Sequence, residues 1–330
     1  MFNKARKLEV VQEAWPIAGS FTISRGSKTL AEVVVARLTK GNVTGRGECV
    51  PYARNHETIE SVVSLINSVR RKIESGCSTD ELQRLLPAGA ARNALDCALI
   101  DLEAKLAGVP ARLLFGLPEA PPAITAFTIS LGTPEEMATA AKLNRNRPLL
   151  KVKLGGIGDD ARIAAVHAAA PQAELIVDAN ESWSDSLLAP LTAACLAAQV
   201  KLIEQPFPED RDDALLSFAS PVPFCADESC RDHTSLDALR GKYQFVNVKL
   251  DKAGGITEAV ALARAAKEQG FGVMLGCMVA TSLAMAPIAM LAPLADFIDL
   301  DGPLLLAKDR PDGLVYEGAL MHQAETTLWG

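Results

Sequence analysis

The chain has 330 residues, 49% of them hydrophobic, enough to bury a large core and more than the roughly 250 a plain βα barrel needs. A net charge of −7, 5% aromatic residues and no basic run argue against nucleic acid as partner and point to a small soluble ligand. Seven cysteines without a CxxC pair suggest neither a disulfide framework nor a zinc knuckle, and fit a reducing cytoplasm.

The first 16 residues mix charges throughout and hold no apolar core of signal-peptide length, so nothing marks the chain for export. Residues 1–50 alternate like antiparallel strands, notably 31–38, which a Gly41-Asn42 turn signal follows. From 57 to 117 the pattern turns helical, with Leu95, Leu99, Leu102 and Leu106 along one face of a helix over 90–105. Strands followed by helices make an α+β unit, assigned to 1–120. Pro118 to Pro122 reads as a linker, 123–130 as the first strand of a second unit, and Thr133-Pro-Glu-Glu as a helix start.

A βα repeat then runs through strand 149–154, helix 160–170, strand 174–178 and helix 184–198 to Asp301, giving a barrel over 121–305. Residues 271–295 carry no charge, but Gly276, Pro287 and Pro293 break them into a buried strand, a loop and a buried helix rather than a membrane span. Residues 306–330 leave the repeat and are expected to pack back on the N-terminal unit.

Strand after strand of this repeat ends in charge: Lys151 and Lys153, Asp178, Glu204, Asp227, Lys249, then Asp299 and Asp301. From Lys153 to Lys249 the steps are 25, 26, 23 and 22 residues, the length of one βα unit. In a closed barrel the carboxyl ends of all strands share one face, so these residues would meet in one pocket. The spacing by two in Lys151/Lys153, Asp178/Asn180, Lys249/Asp251 and Asp299/Asp301 puts both members of each pair on the inner side of a strand.

Asp178, Glu204 and Asp227 offer oxygen ligands on three consecutive strands, suited to a hard divalent cation, magnesium first, and poorly to zinc. As plain helix caps they would leave the lysines unexplained. Lys153 and Lys249 end strands four apart in an eight-strand barrel, hence opposite each other; burial and nearby cations would lower their pKa and let each act as a base. An α-carbon between them could lose a proton on one side and regain one on the other, which is racemisation or epimerisation. The metal would hold the substrate carboxylate and stabilise the charge gathering there, with Lys151 as a fixed positive charge.

In Lys151-Val-Lys153, Val177-Asp-Ala-Asn180, Ile203-Glu-Gln-Pro206, Ala226-Asp-Glu-Ser229, Val248-Lys-Leu-Asp251 and Asp299-Leu-Asp301 the chain resembles the enolase superfamily, muconate lactonizing enzyme subgroup, and within it the dipeptide epimerases. Pairing a Lys base with magnesium is already a named property of that superfamily. The resemblance implies an α/β fold, a modified TIM barrel of (β/α)7β type with an α+β capping domain. It implies Mg2+ at Asp178, Glu204 and Asp227, bases at Lys153 and Lys249, and Lys151 on the substrate carboxylate. Asp299 and Asp301 would grip the α-ammonium of a dipeptide, Thr128 would make a further substrate contact, and Arg25 on a capping-domain loop would pair with a glutamate side chain, as in epimerases of L-Ala-D/L-Glu. Recycling of murein peptides in the cytoplasm follows from that substrate; the number of subunits stays open, a homo-oligomer included.

Other readings remain at this stage. Relatives in the same subgroup run a cycloisomerase, an N-acylamino acid racemase or an o-succinylbenzoate synthase reaction. A Schiff-base barrel lyase would use Lys249 as nucleophile. A non-catalytic binding barrel would need neither base. Gly156-Ile-Gly158-Asp159 after a strand, with Asp178 about twenty residues on, imitates a dinucleotide fingerprint but leaves the lysines without a purpose. His56, His167, His233 and His322 lie outside the strand-end series and offer no alternative base.

Overall fold

The computed structural model describes residues 6–330. Three antiparallel strands come first, β1 (Lys7–Ile23), β2 (Gly26–Lys40) and β3 (Val43–Cys49), with β2 central. Ser24 with Arg25, and Gly41 with Asn42, form the two-residue turns, so Arg25 stands at a hairpin tip. Helices α1 (Ile59–Ser68), α2 (Arg70–Glu74), α3 (Thr79–Leu85) and α4 (Ala90–Ala107) follow. Capping boxes at Thr58 and Ser78 start α1 and α3.

Helix α4 is the hinge of the architecture. Glycines at 45 and 47 let it lie directly on β3: a Cβ there would come within 2.3 Å of the Ala98 carbonyl oxygen and 2.2 Å of that of Ala94. Its other side meets the barrel, so every residue from 90 to 102 is buried and the helix expected over 90–105 with one apolar stripe is buried all round, its charged residues included. Leu106, placed on that stripe, is instead 45% exposed.

The buried charges of α4 are matched across the domain junction. Arg92 donates to the carbonyls of Ala253 (2.6 Å) and Gly254 (3.0 Å), and Asp96 accepts from Thr257 N (2.9 Å) and Oγ1 (2.7 Å).

The short strand β4 (Ala123–Ile124) does not belong to the barrel, so the strand expected over 123–130 splits. Eight parallel strands build the barrel in sequence order: β5 (Phe127–Ile129), β6 (Leu149–Lys153), β7 (Glu174–Asp178), β8 (Leu202–Glu204), β9 (Phe224–Ala226), β10 (Phe245–Val248), β11 (Gly272–Gly276) and β12 (Phe297–Asp299). No ladder pairs β5 with β12. That seam is spanned by Ala126 N donating to Ile298 O (2.8 Å) and Leu300 N donating to Thr125 Oγ1 (2.8 Å). Around the strands pack α5 (Pro134–Leu143), α6 (Asp159–Ala169), α7 (Asp185–Ala197), α8 (Leu236–Leu239), α9 (Leu250–Ala253), α10 (Ile256–Glu268) and α11 (Ser282–Ala289).

Ala126, Leu149, Ile176, Leu202, Cys225 and Met274 plug the amino-terminal end of the barrel, leaving the carboxyl end for polar groups. Residues 271–295 fold as β11, a loop and α11, and among the described residues no helix is long and apolar enough to cross a membrane.

The last segment forms a hairpin, β13 (Tyr316–Glu317) and β14 (Leu320–Met321), that pairs with β4. It also reaches the N-terminal unit: Trp329 Nε1 donates to Cys97 O (3.1 Å), and Arg310 Nη2 bonds both Glu48 and Glu13 at 2.6 Å.

Candidate active site

Parallel register sets the charged strand ends side by side. Lys153 stands opposite Asp178, Asp178 opposite Glu204, and Asp299 opposite Gly276. Lys151 sits one step lower on the same face of β6 and reaches up to Asp299 at 2.7 Å, Glu204 at 2.6 Å and Asp178 at 3.4 Å. Lys153 Nζ is 2.6 Å from Asp178 Oδ2, and Lys249 Nζ is 2.6 Å from Asp227 Oδ2 and 3.9 Å from Glu204 Oε1.

A cavity of about 480 Å3 opens above this layer, between barrel and cap. Lys153, Asp227, Lys249, Asp299, Asp301, Thr128 and Arg25 line it; Lys151, Asp178 and Glu204 lie beneath its floor, at most 1% exposed. No histidine lines it among the described residues.

Of the pairs spaced by two, only Lys151 and Lys153 share a strand. β10 stops at Val248, Lys249 caps α9, and Asp251 turns away to the cap, accepting from Val50 N (3.0 Å) and Asn93 Nδ2 (2.8 Å). Asn180 and Asp301 likewise lie past the ends of β7 and β12.

Lys249 and Lys151 are not depressed bases in this state. Burial pushes Lys249 down, but Asp227 and Glu204 outweigh it and hold the amine above its ordinary range. Burial likewise opposes charge on Lys151, yet Asp299, Glu204 and Asp178 raise it well above normal. The expectation of a neutral amine therefore fails at Lys249, because Coulomb attraction to Asp227 and Glu204 in a dry site exceeds the desolvation it must offset.

Burial and the neighbouring Asp178 raise Glu204, while Lys153 and Lys151 overcome burial at Asp178 and lower it. Asp301 rises to about 7, through burial and then the adjacent Asp299, so this pair gains from any cation placed between them. Asp299 Oδ1 is buried without a partner, which leaves it free to accept. Thr128 belongs to the same corner: its amide donates to Asp301 Oδ2 at 2.6 Å.

Among the described residues no three acidic or metal-ligating side chains converge as a ready-made cluster. Asp178 and Asp227 each turn an oxygen to an ammonium group, and Glu204 Oε2, 2.6 Å from Lys151, has no partner in hydrogen-bond geometry. Three buried carboxylates on adjacent strands, two of them, Glu204 and Asp227, with an oxygen outside any hydrogen bond, are the donor set a hard cation takes.

Arg25 is more occupied than a free substrate anchor would be. Its Nη1 donates to Asn180 O (3.0 Å) and Glu181 (3.2 Å), its Nη2 to Tyr52 Oη (2.9 Å) and Glu228 (2.8 Å). Only Nε–H is left without an acceptor among the described residues.

The glycine-rich loop after β6 carries its own anion. Asp159, fully buried, accepts from Gly155 N (2.9 Å), Gly156 N (2.7 Å) and Trp183 Nε1 (3.1 Å), so its carboxylate fills the cradle a pyrophosphate would need.

Several contributors escaped sequence reasoning. Asn247 Nδ2 holds Glu204 Oε1 at 2.7 Å, Gln205 Oε1 accepts from Asp227 N at 2.8 Å, and Lys252 lies against Asp227. Asn247 is two residues before Lys249 and so on the same strand face, which is a readable signal. Lys252, near the charged Lys249 and Asp251, had none.

The N-terminal part, residues 5–116, matches the family model "Mandelate racemase / muconate lactonizing enzyme, N-terminal domain", and residues 135–314 match "Enolase C-terminal domain-like". The chain belongs to the enolase superfamily. Its α/β architecture, a nearly closed eight-stranded barrel under an antiparallel-sheet cap, is that superfamily's fold. It is 46% identical to the L-Ala-D/L-Glu epimerase of Escherichia coli (strain K12), over 96% of this chain and 99% of that one. To the N-acetyl-D-glutamate racemase of a Pseudoalteromonas species it is 44% identical, over 90% and 95%.

Among solved structures, an enolase family member of Agrobacterium tumefaciens with homology to dipeptide epimerases, holding sodium and L-Ala-L-Glu, superposes with a TM-score of 0.97 at 48% identity, covering 98% of this chain and all of that one. The dipeptide epimerase of Methylococcus capsulatus, complexed with Mg and L-Arg-D-Lys, gives 0.90 at 29% identity and 98% coverage of each. The chain is an isomerase of the epimerase and racemase group.

Proposed function

We propose that the chain is a magnesium-dependent dipeptide epimerase, acting on L-Ala-D/L-Glu by proton transfer between two lysines. The observation that carries this reading is the pair Lys153 and Lys249: they stand at the ends of strands four apart in a nearly closed ring of eight and both line one cavity. Residues 1–120, with 306–330 packed back on them, form the cap in this reading, and 121–305 the catalytic barrel.

Asp178, Glu204 and Asp227 would hold Mg2+, which supplies positive charge for the substrate carboxylate and competes with the ammonium groups for the same oxygens. Lys153 and Lys249 then face the α-carbon of the second residue. One removes its proton, the other returns a proton to the opposite side, and the configuration inverts. Lys151 adds fixed positive charge under the carboxylate. Asp299 and Asp301 take the α-ammonium, with Thr128 holding Asp301 in place, and Arg25 takes the acidic side chain. L-Ala-D/L-Glu is a murein fragment, so peptide recycling in the cytoplasm is the role that fits.

Racemisation of an N-acyl glutamate is the second reading, favoured by the 44% identical relative. The Asp299/Asp301 pair speaks against it, since an N-acyl group carries no ammonium to pair with two acids. Incubating L-Ala-L-Glu, a panel of L-Ala-Xaa dipeptides and N-acetyl-glutamate in deuterated water, with Mg2+, separates the two by mass gain. Mass gain on the dipeptides supports the proposal, and gain on N-acetyl-glutamate alone refutes it. Lys153→Ala and Lys249→Ala are each expected to abolish epimerisation, at least one keeping exchange from a single stereoisomer. Epimerisation by both variants would end the two-base scheme.

A further inference from the structure

Lys252 is a cation the proposed chemistry does not use. It follows Lys249 by one turn of α9, is 4% exposed and does not line the cavity. Its Nζ donates to three backbone carbonyls, those of Asp227, Cys230 (2.9 Å) and Asn247 (3.1 Å), and lies 2.6 Å from Asp227 Oδ1 as an ion pair outside hydrogen-bond geometry. Four oxygens thus surround one ammonium group. They come from the end of β10 and from the loop after β9, which fixes where that loop begins.

The three acids differ in how they are held. Asp178 Oδ1 accepts from Asn180 N (2.9 Å) and Glu204 Oε1 from the Asn247 amide (2.7 Å), both neutral donors. Asp227 stands between two ammonium groups, its Oδ1 against Lys252, which does not line the cavity, and its Oδ2 against Lys249, which does; Glu204 also has an oxygen, Oε2, against the buried Lys151. We propose that Lys252 is a positioning residue: by pinning Asp227 Oδ1 from behind, it aims Oδ2 into the pocket and sets how tightly the three acids bind a divalent cation. The inference rests on the reading of Asp178, Glu204 and Asp227 as the metal ligands.

Two effects of removing this lysine have opposite signs, which makes the test decisive. Losing the charge alone would leave the acids more negative and tighten cation binding. Losing the aim of Asp227 would weaken it, by the 10- to 100-fold typical of groups that orient a ligand from behind. Positioning is the larger effect here, because a carboxylate on a loop has no other charged partner on that oxygen.

The experiment is calorimetric titration of the full chain with MgCl2, for the parent, Lys252→Met and Lys252→Gln, alongside thermal melting of each. Weakening of at least about 10-fold in Lys252→Met, with a smaller loss in Lys252→Gln, is the expected result. Unchanged or tighter Mg2+ binding with a lowered Tm would make Lys252 a structural clip only and overturn the proposal. Should Lys252→Met not fold, Lys252→Gln decides by the same criterion. A parent chain that takes up no Mg2+ refutes the ligand assignment itself, and the proposal with it.

Discussion

Arg25 shows how a residue read correctly as a carboxylate partner can already have partners. Both terminal nitrogens are committed to Asn180, Glu181, Tyr52 and Glu228, so an incoming side-chain carboxylate must displace one of these acceptors or use Nε. Acidic substrates therefore gain from Arg25 only the difference between two charged bonds, while apolar substrates gain nothing. Arg25→Ala is expected to raise KM for L-Ala-L-Glu by about 10-fold, the lower end for a charge-assisted bond, and to leave apolar dipeptides within about twofold. Equal losses in steady-state kinetics on both would take Arg25 out of the specificity role. The lysines teach the converse lesson. Their positions were legible from spacing alone, but the sign of the pKa change at Lys249 was not, because it depends on an Asp227 oxygen 2.6 Å away and no spacing rule gives that distance.

Among the elements, the barrel strands were the most legible part. A charged residue at the end of a short apolar run is a strong signal, and expected strand 174–178 coincides with β7. Helix α4 was read as amphipathic because periodicity reports one buried face and cannot report a second neighbour. Sandwiched between β3 and the barrel, it needs Arg92 and Asp96 as junction contacts rather than as a solvent face. Strand β4 was misjoined to β5 because only its pairing with β14, nearly two hundred residues away, separates them. The close approach of α4 to β3 makes a sharp prediction. Gly47→Ala drives a methyl into the Ala94 carbonyl, 2.2 Å away, and backbone on both sides leaves little room to yield. A loss of about 1–3 kcal/mol, the usual range for overpacking, is expected in denaturant unfolding. A Tm equal to the parent's would mean that the helix slides freely on the sheet.

On the scale of the whole molecule, cap and barrel share buried charge, and one such group should make stability depend on pH. Asp251, at the start of the barrel's α9, is raised to about 7, by burial first, and accepts from the cap at Val50 and Asn93. An acid with a folded value above its unfolded one, about 4, holds its proton more tightly in the folded chain. Its stabilising contribution is full below about pH 4 and falls as pH rises through about 7, by at most about 1.4 kcal/mol per pH unit. Asp251→Asn keeps an oxygen for both donors and removes the titration. The variant should have a shallower downward slope across that window, the remainder belonging to other raised acids such as Asp301, and should be the more stable protein at pH 8, as measured by urea unfolding at a series of pH values. An unchanged slope would put the proton elsewhere. Because α4 is buried on both sides, the same curves should show one transition for cap and barrel together.

The gap in pairing between β5 and β12 has a consequence for what the enzyme can accept. Thr128, Asp299 and Asp301 all stand beside it, so the corner proposed to recognise the peptide's amino end rests where the ring is fastened by a few single bonds, that of Thr128 to Asp301 among them, instead of a ladder. A bulkier first residue would press on this unladdered side of the barrel, away from the lysines, whose staves are joined by continuous pairing.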